Sequence, residues 1–582
     1  MRKLCLAILA VCLVPAASPQ VSQPVFAQTD SGVESKTGVV VSSSDVASDV
    51  GAAVLGKGGN AVDAAVATAF ALAVTHPFAG NIGGGGFMVV RSANGTATTF
   101  DYRETAPAKS TPTMYVGKDG NIDMSLTQSG YLAPGVPGTV RGMAMAHKKF
   151  GKLAWKDVVM PAADVASKGF VMSASLARSL SGEVGRGMAP FPASVAAYGK
   201  PGGGQWAAGD RLVLPDLAKT LTAIATDGGD AFYTGWIADR IAEDMAAHGG
   251  LLTKADLAAY QAKERQPIKG TFLGYDIVSM PPPSSGGIAL VEMLNMLEAL
   301  DIQKLKRDSA ADRTTEIHLE IEAMRRAYLD RARFLGDADF VQVPVARLIS
   351  KPYAREIIKN IDPARASSSA ELGIDILSKT MADEPSDTTH FSVVDKDGMA
   401  VSNTFTLEGG YGSHVVVKGA GFILNNEMGD FNKKPGLTNA TGTIGTPANI
   451  IAPGKRMLSS MTPTIVSKDG KLVLVTGSPG SRTIINTVFD IVVSVTAFGV
   501  TGPAAIEAKR FDHEWMPDAV TFEASGLPQD IVDKLTAMGH KIVVRGAQGS
   551  AQSIWIDPKT GSAIGVADHR DATAKASKPG GK

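Results

Sequence analysis

The sequence predicts a mixed helix-and-strand protein with a core of several hundred residues, and three observations carry this. Hydrophobic residues make up 44% of the 582-residue chain and charged residues 20%, enough to bury a large core and far from a disordered composition. Buried-strand patterns, as over residues 37–48 and 388–407, share the chain with long helical periodicity, as over 316–334. Glycine is raised to 63 residues, which points to tight turns and close backbone approaches. Length alone suggests about four domains at roughly 150 residues each, but large mixed folds override that prior by building one core.

Taken in order, the chain opens with Arg2 and Lys3, an apolar run from Leu4 to Val14, and small residues ending Val25-Phe26-Ala27. This reads as a secretory signal peptide over residues 1–27, cut after Ala27, with Ala17 the weaker alternative. A lipoprotein reading through Cys12 fits poorly, because Val11 is bulky where a small residue is expected. The protein is therefore expected to be exported, to a periplasm or beyond. The two cysteines, Cys5 and Cys12, both fall in this segment. Disulfides, cysteine nucleophiles and cysteine-ligated zinc are thereby excluded from the mature chain together. Lysine plus arginine equals aspartate plus glutamate, 57 against 57, which argues against a nucleic-acid or polybasic membrane partner. No later stretch approaches the roughly 20 apolar residues of a membrane span. The most apolar, Ala64–Val74, reads as a buried core helix behind Asn60 and Asp63.

Residues 37–48 read as a buried strand running into a helix capped by serine or aspartate. The run Gly83–Gly86 suggests backbone packed on backbone, because it lacks the spacing and ending of phosphate-binding loops. Residues 150–350 are helix-rich. In Glu316–Phe334, Ile317, Ile321, Met324, Tyr328 and Ala332 mark a buried face, and His318 is expected to make a structural hydrogen bond. The histidines show no metal-binding spacing, and His513-Glu514 lacks the second histidine of a zinc protease. Pro281–Gly287 reads as a rigid turn and tight loop, either shaping a pocket or simply turning. Ala366–Asp387 reads as an exposed, breaker-rich linker. Thr388–Val394 then reads as a strand, Asp395–Gly398 as a hairpin turn and Met399–Leu407 as a second strand. The small, polar end 571–582 is expected to fray.

Conventional nucleophiles are scarce, since Gly477-Ser478-Pro479-Gly480 has the wrong spacing for a nucleophile elbow. Thr388 offers another route. A cut between Asp387 and Thr388 frees an α-amine with a pKa near 8, which can serve as general base for the threonine's own hydroxyl.

At these residues the sequence resembles the γ-glutamyltransferase (γ-glutamyltranspeptidase) family. The resemblance rests on Thr388–Gly398, Asn425–Phe431, Leu458–Pro463, Gly477–Gly480, Gly80–Phe87, Asp101–Pro107, Pro134–Gly138 and Pro281–Gly287. These motifs run in order from about residue 37 to 570. The resemblance implies an α+β fold of the N-terminal-nucleophile hydrolase type, two stacked antiparallel sheets between helical layers. It implies a precursor that cuts itself into a heavy chain, 28–387, and a light chain, 388–582, paired in one αββα body.

Site roles follow from the same resemblance. Thr388 is the nucleophile and Thr406 hydrogen-bonds its hydroxyl. Arg103 pairs with the substrate α-carboxylate, where a planar guanidinium suits bidentate pairing, and Ser459 and Ser460 grip the same group. Glu408, Glu427 and Asp430 bind the α-ammonium. Gly480 and Ser481 supply backbone N–H groups to the oxyanion. Two departures stand out. Ser481 occupies a position where relatives often carry a second glycine, and Glu408 one where some carry asparagine. Residues 431–458 read as a lid, with Thr441 where relatives often have an aromatic gate.

The implied activity is cleavage of γ-glutamyl compounds such as glutathione, with transfer to water, an amino acid or a peptide, and no metal or organic cofactor. The alternatives are a cephalosporin (glutaryl) acylase of the same fold and a non-catalytic exported binding protein.

Overall fold

The computed structural model describes residues 32–377 and 387–581. The expected signal peptide and residues 378–386, before the expected cut, lie outside these residues.

Two seven-stranded antiparallel sheets form the centre. One runs Lys575–Ser577, Gly38–Ser42, Asp387–Asp395, Ala400–Glu408, Gly85–Arg91, Ala97–Asp101, Lys263–Arg265. The other runs Val33–Ser35, Ala563–Val566, Ser553–Ile556, Lys471–Thr476, Thr464–Lys468, Tyr275–Ser279, Ile268–Phe272. Period-two alternation sorts their side chains. Val39 and Val41 face a core shared with Ile465, Val475 and Ile554 of the second sheet, whereas Val40 faces the opposite way into helices. Helix Ala61–Thr75 covers the outer face of the first sheet, and helices Gly286–Ala299, Ala310–Phe334 and Thr483–Phe498 cover the second. The result is the expected α/β/β/α stack.

Local chemistry explains the key elements. Helix Ala61–Thr75 is buried on every residue, and Asn60 and Asp63 close its start with a reciprocal capping box. Each sheet interleaves strands from before and after Thr388. Neither part alone could complete a sheet.

Two expectations are corrected. The end 571–582 was expected to fray, but among its described residues Lys575–Ser577 pairs with the open edge of Gly38–Ser42. The supposed linker is also anchored over 366–377. Ser367 N–H donates to Glu322, Ser369 N–H donates to Asp518, and Trp515 Nε1 donates to the Ser369 carbonyl. His318 bears out its structural reading, bonding the Asp362 carbonyl and His540. Glu322 lies within metal-ligand reach of both histidines, but it already pairs with Arg326 and Arg325.

Candidate active site

Thr388 is buried one residue into the central strand Asp387–Asp395, where the chain continues from Asp387. The pairing with Ala400–Glu408 slips between Asp387 and Thr389: Asp387 faces Glu408 and Thr389 faces Phe405, so the partner strand carries the extra residue and Thr406 and Leu407 together oppose Thr388. A bulge bends the strand that carries it and interrupts pairing, so Thr388 lies beside a break in the ladder. The Thr406 hydroxyl donates 2.7 Å to the Asp387 carbonyl and accepts 2.8 Å from the Glu408 N–H. Its bond is thus to the Asp387 carbonyl, whereas the resemblance gave it to the Thr388 hydroxyl. His390, two residues on, is held neutral by burial, its pKa pushed down to about 3, and is occupied by Thr404 and Ser392.

The four-glycine run lets the neighbouring strand come close. A Cβ on Gly84 would lie 2.1 Å from the Thr406 carbonyl, and one on Gly85 would lie 2.5 Å from a Glu104 carboxylate oxygen. Asn81 Nδ2 donates to the Thr406 carbonyl from the same turn.

A small cavity links Thr388 and Thr406 to Arg103, Glu427, Asp430 and Ser460. Arg103 is fully buried. Its fork is engaged by Glu427 and Asp430, and it also donates to the Met457 and Leu458 carbonyls at 3.3 and 3.2 Å. The cation and the anions assigned to opposite ends of a substrate therefore pair with each other here. Burial opposes the Arg103 charge, but Glu427 and Asp430 more than offset it and raise its pKa. Burial raises Glu427 well above the usual carboxylate range despite Arg103. Glu408 has φ +78°, and a Cβ on Gly429 would lie 2.7 Å from its carboxylate, so Glu408 stands against the turn carrying Glu427 and Asp430.

Ser459 and Ser460 are buried in the wall of the same cavity. The Ser459 hydroxyl accepts from the Met461 N–H at 3.1 Å, and the Ser460 hydroxyl accepts from Arg331 at 3.0 Å. Gly480 and Ser481 precede helix Thr483–Phe498, whose N-terminus favours negative charge. Ser481 has φ +54°, the left-handed region in which glycine costs least. That is the physical content of the departure noted at this position. The segment 431–458 contributes Phe431, Gly442 and Leu458 to the cavity wall. It is tied down by Thr446, which donates to the Ala332 carbonyl, and by Asn449, which donates to the Asp430 carbonyl.

A second cavity, about 980 Å³, opens beside Asp387 and Thr388 and is walled by Phe78, Met172 and Tyr411. Apart from Asp387, Thr388 and Gly480, the expected site residues are not on its wall. Sequence reasoning missed two groups at the smaller cavity. Glu104 is buried against Arg103, 3.8 Å away, and is pushed up to about 8, chiefly by burial. Its adjacency to Arg103 was its only signal. Arg331 carried none beyond its place on a helix.

Two stacked antiparallel sheets between helical layers, with a threonine second in a central strand, define an N-terminal-nucleophile hydrolase. The family model described as Gamma-glutamyltranspeptidase matches residues 47–577, and the chain belongs to that family. It is 45% identical over 553 residues to a glutathione hydrolase proenzyme of Escherichia coli (strain K12), covering 95% of this chain and 94% of that one. Among solved structures it resembles a cephalosporin acylase from Bacillus halodurans, with TM-score 0.80 and 27% identity, covering 98% of this chain and 100% of that one. It also resembles γ-glutamyltranspeptidase of Helicobacter pylori, with TM-score 0.56 and 45% identity, covering 58% of this chain and 95% of that one.

Proposed function

We propose that this protein is a self-processing γ-glutamyltransferase that cleaves the γ-glutamyl bond of glutathione and related compounds. One observation carries the reading: Arg103 faces Glu427 and Asp430 inside the cavity that reaches Thr388. An amino acid's α-carbon bears the complementary carboxylate and ammonium. A bound γ-glutamyl group exchanges this internal ion pair for its own charges, with charge-assisted bonds on both sides.

Maturation begins when the Thr388 hydroxyl attacks the Asp387 carbonyl carbon, polarised by Thr406. The peptide C–N bond breaks, the nitrogen takes the hydroxyl proton, and an ester forms. Water hydrolyses it to an Asp387 carboxylate and a free Thr388 amine. The heavy chain 28–387 and light chain 388–582 stay together through their shared sheets. In turnover the amine takes the hydroxyl proton, the oxygen attacks the γ-carbonyl, and the Gly480 and Ser481 N–H groups hold the oxyanion. The leaving amine departs protonated. Water, an amino acid or a peptide then receives the acyl group. Export follows from the signal-like residues 1–27, cut after Ala27, and places the protein in a periplasm or outside the cell. Among the described residues no helix is long and apolar enough to cross a membrane.

The likeness to a cephalosporin acylase motivates one rival. Glutaryl lacks only the α-amine, and would leave Asp430, Glu427 and Glu408 without the cation they face. Sites built for a polar group reject its absence strongly, so kcat/KM for a γ-glutamyl anilide should exceed that for the glutaryl anilide by roughly 10³. Equal or better glutaryl turnover would transfer the assignment to the acylase.

A further inference from the structure

Resting on that reading, we propose that Arg331 is a specificity-determining residue of the donor pocket: it fixes the Ser460 hydroxyl as a donor and adds a second positive charge for the substrate α-carboxylate.

Arg331 lies on helix Ala310–Phe334 and lines the cavity with Arg103. Its Nε donates 2.9 Å to the Ser285 hydroxyl and its Nη2 donates 3.0 Å to the Ser460 hydroxyl. Among the described residues it forms no ion pair with a carboxylate, which sets it apart from Arg103. Burial and the neighbouring Arg482 press against its charge, and Tyr328, Asp430 and Glu514 offset this only in part. A positive group kept partly buried on two neutral hydroxyls is costly unless an anion arrives to meet it.

Hydrogen-bond polarity makes the case sharper. A guanidinium only donates, so the hydroxyls it touches must accept and must send their own protons elsewhere. Ser285 sends its proton 2.6 Å to the Ser459 carbonyl, and its N–H donates 2.8 Å to the same oxygen. Ser459 N–H in turn donates 3.0 Å to the Pro283 carbonyl. The turn 281–287 is thereby locked to residues 459–461, and this is what that motif does for the site. Ser460 accepts from Arg331, and the Ser459 hydroxyl accepts from Met461 N–H. Both hydroxyl protons are thus left to donate, the polarity an incoming carboxylate needs. Arg331 sets this direction for Ser460 directly, and through Ser285 it holds the Ser459 backbone carbonyl, while Met461 N–H sets the Ser459 hydroxyl.

The test compares two anilides with the same leaving group: γ-glutamyl, and 4-aminobutanoyl, which lacks only the α-carboxylate. Wild type should prefer the first. Arg331→Met should lower kcat/KM for γ-glutamyl anilide by about 30-fold or more, mainly through KM, and change the 4-aminobutanoyl anilide by about threefold or less. Ser460→Ala should cost clearly less in the Arg331→Met background than in wild type, because the two act as one unit. Equal losses on both anilides, or additive effects, would overturn the proposal, since a merely structural role predicts them. Should Arg331→Met fail to fold, Arg331→Lys decides by the same comparison, with a smaller but still carboxylate-dependent loss. A wild type inactive on γ-glutamyl anilide would refute the activity reading instead.

Discussion

Helix Ala61–Thr75 and the pocket around Arg103 lie in one molecule and are both almost fully buried, yet they are built from opposite materials. The helix buries alanine, valine and leucine with Phe70 set edge-on to Trp155. The pocket buries Arg103, Glu104 and Glu427 within a few ångströms of one another. Hydrocarbon burial stabilises at about 25 cal/mol per Å². Buried ions do not, because desolvation offsets most of their attraction. The hydrophobic layers therefore hold the sheets in place, and the pocket draws on that stability to keep charges dry for a charged substrate. Substitutions in the first region should change stability and leave selectivity alone, and those in the second should change selectivity.

The largest expected effect is on the hydrocarbon side. Phe70→Ala should cost about 3–5 kcal/mol of stability by thermal or denaturant unfolding, while the preference for γ-glutamyl over glutaryl anilide stays within about twofold. A change in that preference would break the contrast. On the pocket side, Arg103→Lys keeps the charge and loses the fork. It should reduce kcat/KM on γ-glutamyl anilide by about ten- to a hundred-fold, or 1.5–3 kcal/mol, with both chains still produced. Kinetic silence would remove Arg103 from the substrate's carboxylate.

Glu104 sharpens the comparison through pH. Its folded pKa of about 8 lies above its unfolded value of 4.5, so between those values the folded protein holds a proton that the unfolded chain has lost. Folding stability should therefore fall as pH rises from about 4.5 to 8. Glu104→Gln should flatten that slope relative to wild type, measured as the difference in unfolding free energy across the window. An unchanged slope would show that Glu104 titrates normally.

Much of the first region was legible in the sequence, and the reasons are local. Apolar spacing, the Asn60 and Asp63 signals and the Asp395–Gly398 turn each act within a few residues. The strand 37–42 and the hairpin 388–407 showed themselves in the same way. The four-layer arrangement and the site roles came through resemblance, because side-chain periodicity does not say which strands pair. What escaped was long-range. Lys575–Ser577 becomes a strand only because Gly38–Ser42 offers it an edge. The serines of 366–377 looked like linker residues until Glu322 and Asp518 took their N–H groups. Arg331 meets Ser460 from a distant helix, and the pairing of Arg103 with Glu427 and Asp430 spans more than 300 residues of chain. Ser481 was visible only as a missing glycine, and its positive φ supplies the reason.

The central claim is that one hydroxyl, set opposite a bulge in the neighbouring strand and served by Thr406, both cuts the chain and carries the acyl group. N-terminal sequencing of the purified protein tests it most directly. Wild type should give two chains, the smaller beginning at Thr388, and Thr388→Ala should remain a single inactive chain of wild-type thermal stability. A small chain beginning elsewhere, or efficient cutting before residue 388 in the alanine variant, would contradict it.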